Sequence, residues 1–127
     1  MAKSNFENLQ VYQLAEKLAD IVWDIVIQWS HFQKETVGTQ LVRAADSVGA
    51  NIAEGAGRGS YKDNKKYVRI ARGSLYETKH FLRRAYKRKL LTQVQTDTLS
   101  KITDELPPRL NAYLKSIGKD KPTTDNN

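Results

Sequence analysis

Between Gln40 and Tyr86 two apolar stripes at helical spacing are separated by three glycines, and the second stripe is backed by a run of bases. In the first, Leu41, Ala44, Ala45, Val48 and Ile52 share one side of a helix predicted from about Glu35 to Glu54. Ala44, Ala45, Gly49 and Ala50 keep that helix slim enough for a neighbouring backbone to come close, although Gly49 costs about 1 kcal/mol of helix propensity. Gly55, Gly57 and Gly59 mark a hinge, since glycine is the usual residue where a helix ends in a left-handed turn. Ser60 followed by Asp63 has the form of an N-cap with an acidic third residue, which predicts a third helix from Tyr61 to about Leu90.

That third helix has two opposed faces. Tyr67, Val68, Ala71, Ser74, Leu75, Thr78, Leu82 and Ala85 fall on one side at 100° per residue. Lys62, Lys65, Arg69, Arg72, Tyr76, Lys79, Arg83 and Tyr86 fall on the other, spaced alternately three and four. Gly73 lies at the margin, where close helix packing is expected. An ordinary solvated face mixes signs, because opposite charges four residues apart support a helix. Here Lys62, Lys65, Lys66, Arg69 and Arg72 repel one another with little acidic relief.

The excess charge of the chain resides in this segment. From Arg58 to Lys89 there are twelve bases, Lys66, Lys87 and Arg84 among them, against the two acids Asp63 and Glu77. The net charge of the 127 residues is +7, so everything outside the segment is net acidic. Such a concentration is the electrostatic footprint expected for a polyanion.

The flanking segments complete a helical pattern. Leu14, Leu18, Ile21, Val22, Ile25, Val26 and Trp29 recur at helical spacing in a first helix predicted from about Glu7 to Trp29, after a short arm at residues 1–6. Trp23 and Ile27 widen its stripe, so other helices or another subunit must cover more than one side. Residues 30–34 read as the connection to the second helix. Residues 92–97 read as a polar bridge before a fourth stripe of Leu99, Ile102, Leu106, Leu110, Tyr113, Leu114 and Ile117. Pro107 and Pro108 sit inside that stripe, so a kink or two short collinear helices is expected. The fold class is therefore all-α, an antiparallel up-down bundle of four helices over residues 1–118, with a disordered tail at 119–127.

No constellation of catalytic residues emerges. There is no cysteine, hence no disulfide, thiolate metal site or thiol nucleophile, and two distant histidines make no metal site. Gly55 to Gly59 superficially has a phosphate-loop form, but nucleotide fingerprints follow a strand and this one follows a helix. A single phosphate received by Arg58, Lys62 and the first amides of the third helix is the most that loop suggests. Glu54 is a lone carboxylate, better read as pairing with Arg58 or Arg43, with Asn51 satisfying backbone near the turn. Asp46 and Ser47 project about 100° apart, and nothing brings His80 to them. No metal and no cofactor is implied. With no apolar signal region and no apolar run long enough to span a bilayer, a soluble, cytoplasmic protein without membrane contact is expected.

Three motifs carry a resemblance. F-x-x-L-x-V-Y lies at Phe6 to Tyr12, N-I-A-E-G-x-G-R at Asn51 to Arg58, and A-x-G-S-L-x-E at Ala71 to Glu77. The chain resembles the four-helix-bundle family of proteins encoded within intervening sequences of bacterial 23S ribosomal RNA genes. That family includes the accessory variability protein of diversity-generating retroelements. The resemblance implies an antiparallel bundle assembling into a ring-like homopentamer, nucleic-acid binding on basic surfaces, and no enzymatic activity. For retroelement members it implies contact with a reverse transcriptase. Asn51, Glu54, Gly55, Gly57, Ser74 and Glu77 then belong to the structural motifs, holding the helix junction or a subunit contact.

Two functions remain open for the stripe of Arg58, Lys62, Lys65, Lys66, Arg69, Arg72, Tyr76, Lys79, Arg83, Tyr86 and Lys87. One is contact with an RNA or DNA backbone, with weak sequence preference because phosphates carry no sequence. The other is docking of an acidic protein such as a reverse transcriptase. Charge alone does not separate them.

Overall fold

The computed structural model describes residues 5–118, and the tail expected at 119–127 and the first four residues of the arm lie outside them. A 3-10 turn over Asn5–Asn8 leads into four helices, α1 Gln10–Val26, α2 Thr39–Ala56, α3 Tyr61–Lys87 and α4 Gln93–Ser116. The described residues contain no strand. Each helix packs on its sequence neighbour, and α4 returns to pack on α1, which closes an antiparallel four-helix bundle. Short connections between long helices favour this up-down arrangement.

The stripes meet in one core. Leu18 and Val22 of α1, Leu41, Val48 and Ile52 of α2, Val68 and Leu75 of α3, and Leu106 and Leu110 of α4 are all fully enclosed. Thr78 is buried among them without cost, because its Oγ1 donates to the Ser74 carbonyl one turn back at 2.8 Å. Trp23 and Ile27 stay outside, 55% and 44% exposed, so this chain alone does not cover the widened face of α1.

Three expectations are corrected at the connections. Residues 31–34 are already helical, with extended Ser30 as their cap. Ser30 Oγ accepts from the Gln33 amide and the Gln33 side chain accepts from the Ser30 amide, a reciprocal cap that starts a helical turn over His31–Gln33. That turn continues through a π-helical stretch, Lys34–Gly38, before α2 takes α-helical pitch. Gly38, at its end, lets α1 come close, since a Cβ there would meet Val26 Cγ1 at 2.9 Å. Residues 92–97 are likewise no bridge, because Thr92 and Gln95 form the same reciprocal cap and α4 begins at Gln93.

The third helix ends at Lys87 rather than Leu90. The Leu90 amide donates to the Ala85 carbonyl and the Lys89 amide to that of Tyr86, with Lys89 left-handed at φ 62°. This is the paired bonding that stops a helix, built here on lysine instead of glycine. Trp29 Nε1 reaches across to donate to the Leu90 carbonyl at 3.2 Å, fastening this end of α3 to the connection between α1 and α2. α4 is a single helix through Pro107 and Pro108, so of the two forms expected there the pair of short collinear helices does not occur. Pro107 is buried and takes part in the core, while Pro108 faces outward.

Candidate nucleic-acid interface

The hinge is a fixture of structure. Gly59, at φ 88°, supplies the left-handed turn, whereas Gly57 caps α2 in right-handed geometry. Gly55 is where the two helices touch: a Cβ there would lie 3.0 Å from both the Asn64 carbonyl oxygen and Tyr67 Cβ. Asn51 Nδ2 donates to the Ser47 carbonyl at 2.8 Å, Glu54 pairs with Arg58 at 3.3 Å, and the Arg58 guanidinium lies 5.1 Å from the Tyr67 ring centre. Glu54 thus pairs with Arg58, one of the two bases expected for it, and Asn51 bonds a carbonyl one turn back within α2. Arg58 itself stays exposed, between Glu54 of α2 and Tyr67 of α3. Ser74 contributes its carbonyl to Thr78, and Glu77 is exposed.

Ser60 Oγ accepts from the Asp63 amide at 3.1 Å and starts α3 where the sequence predicts, a cap worth about 1 kcal/mol. From there the basic stripe resolves into two rows of heptad spacing. Lys62, Arg69, Tyr76 and Arg83 form one, and every member is exposed. Lys65, Arg72, Lys79 and Tyr86 form the other, whose first three members are half-buried because the row borders α4. Arg72 Nη1 donates to Asn111 Oδ1 of α4 at 3.0 Å, and Lys79 Nζ lies 5.4 Å from the Tyr76 ring centre. Seven residues at 100° each fall only about 20° short of two turns, so each row drifts slowly around the helix. Arg69 and Arg83 form no ion pair with a carboxylate among the described residues. Lys66 leans over Tyr67 at 5.7 Å, and Lys87 closes the helix on the exposed side.

Gly73 departs from expectation. It is exposed, and a Cβ at this position would have nothing within 4 Å, so no close packing depends on it. The side of the bundle away from α3 has the opposite character. A groove between α1 and α2 is lined by Glu16, Asp20 and Asp46, and burial followed by repulsion from Asp20 raises the Asp46 carboxyl above its usual range. Asp46, Ser47 and His80 form no catalytic group, since Ser47 Oγ donates to the Arg43 carbonyl and His80 lies edge-on to Phe81. No group of residues able to hold a metal ion occurs among the described residues, and none of their helices is long and apolar enough to cross a membrane.

Fold and surface together define a four-helix bundle with one basic helix. Residues 7–112 match the family described as 23S rRNA-intervening sequence protein, and the chain belongs to that family. The fold is similar to that of a protein of unknown function from the S23 ribosomal protein family of Bacteroides thetaiotaomicron VPI-5482. That similarity has a TM-score of 0.76 at 23% identity and spans 84% of this chain and 96% of the other. No curated protein matches the chain.

Proposed function

We propose that the protein is a non-enzymatic, oligomeric binder of nucleic-acid backbone, acting through the exposed row of α3. The observation that carries this reading is the row Lys62, Arg69, Tyr76 and Arg83, a folded surface of three bases and one aromatic ring facing solvent along one helix. A line of bases on one exposed helix face attracts a string of phosphates, which releases its counterions on contact. Contacts of this kind position a strand and carry little sequence preference.

Assembly into a ring of five copies follows from the family resemblance and would multiply a weak patch by avidity. Exposed Trp23 and Ile27, beside Val42, give α1 and α2 an apolar surface for a second copy to cover. A second reading draws on the motif resemblance to the accessory variability protein, with an acidic face of a reverse transcriptase covering the stripe. Exposed Ile70 and Tyr76 on the same helix favour it, because aromatic and apolar groups beside arginine anchor protein contacts.

The test is binding of purified protein to labelled structured RNA and duplex DNA across a salt series. A steep linear fall of log affinity with log salt is expected, together with loss of binding in Arg69→Glu/Arg83→Glu, both exposed and outside the core. Absence of binding at low salt from folded protein overturns the reading and leaves the protein partner.

A further inference from the structure

The row that borders α4 is closed at one end and open at the other. Arg72 meets Asn111 at 3.0 Å. In an antiparallel pair, a step of seven residues forward on α3 is a step of seven back on α4, which brings Lys79 into register with Asp104. These two oppositely charged residues form no ion pair. Between them lies a hollow of about 270 Å³, with Leu82 and Leu99 as its apolar floor. Lys79, Arg83 and Tyr86 form the α3 wall, and Ser100 and Asp104 stand on the α4 wall.

We infer that this hollow takes one unpaired nucleobase of a single strand, with guanine the best fit. The inference rests on the nucleic-acid reading above and adds the ligand class to it. A nucleotide within a strand has three chemically distinct parts, and each has a counterpart here. Its flat ring suits an apolar slot beside an aromatic side chain, where stacking tolerates any base. Its flanking phosphates suit Lys79 and Arg83. Its Watson–Crick edge, free only when unpaired, suits the Asp104 carboxylate, an acceptor without a donor of its own. Guanine presents two adjacent donors on that edge, uracil one, so the carboxylate discriminates between them. The volume lies just below the range of small-molecule sites, about 300 Å³ and upward, which fits one ring held by a longer strand rather than a free cofactor.

The experiment compares three probes at one salt concentration: an oligouridine 11-mer, the same 11-mer with a single central guanine, and a duplex of equal length. The guanine-bearing strand is expected to bind about tenfold more tightly than the duplex, the order of one stacked base. Ser100→Phe, which fills the hollow from an exposed position, should abolish that preference and leave duplex binding unchanged. Asp104→Ala should erase the difference between the guanine-bearing strand and oligouridine. Equal binding of all three probes, or an unchanged preference in Ser100→Phe, overturns the inference while the backbone reading stands. Failure of all three probes to bind overturns both.

Discussion

Arg72 of α3 donates to Asn111 of α4 across 3.0 Å, so one base of the stripe also serves the bundle. Arg69, one turn earlier, is exposed and makes no such contact. The two arginines therefore separate stability from binding. Arg72→Ala should cost about 0.5–1.5 kcal/mol in urea denaturation, the worth of one such hydrogen bond. Arg69→Ala should leave the urea midpoint in place and weaken nucleic-acid binding.

Glycines 55 and 73 should respond to alanine in opposite directions. Gly73→Ala fills open space in mid-helix and should raise stability by about 1 kcal/mol. Gly55→Ala drives a methyl group against the Asn64 carbonyl and Tyr67, and should destabilise by about 1–3 kcal/mol. Thermal denaturation by circular dichroism measures both.

Lys89 holds a left-handed turn that a side chain resists by about 1–2 kcal/mol. Glycine removes that strain but enlarges the freedom of the unfolded chain, so Lys89→Gly should gain a net of about 0.5–1 kcal/mol. The gain appears as a higher denaturation midpoint. Lys89→Ala, which keeps the strain, should show none.

Asp46 introduces a pH dependence. Burial, and then the Asp20 charge, raise its carboxyl above the ordinary value, so the folded protein holds this proton more tightly than the unfolded chain does. Its contribution is therefore fully present below the ordinary carboxylate range and is lost as pH rises through the raised value. Asp46→Asn should be more stable than the parent protein at neutral pH, and the two curves should converge in acid. Denaturation across a pH series measures the difference.

The apolar stripes of α2 and α3 are legible because each is a strict helical period: Leu41 to Ile52 and Val68 to Ala85 are buried as read. The Ser60 cap is legible for the same local reason. The caps at Ser30 and Thr92 have equally local signatures, yet their polar surroundings make both segments read as connections. The close approach at Gly38 is not legible, since it depends on where Val26 of another helix packs. Nor is the division of the stripe into two rows. Which bases lean on α4 depends on where α4 packs, and the hollow beside Lys79 exists only because Asp104 arrives opposite it without closing.

The exposed row is also a ruler. From Lys62 to Arg83 it extends about 30 Å along the axis of α3, the length of roughly nine steps of a nucleic-acid strand. A duplex completes a turn in about 34 Å, so the phosphates of either strand wind out of reach before they pass the whole row. A strand free to straighten can follow it from end to end. Under the proposed backbone binding, the length of α3, twenty-seven unbroken helical residues, favours flexibility in whatever lies along it.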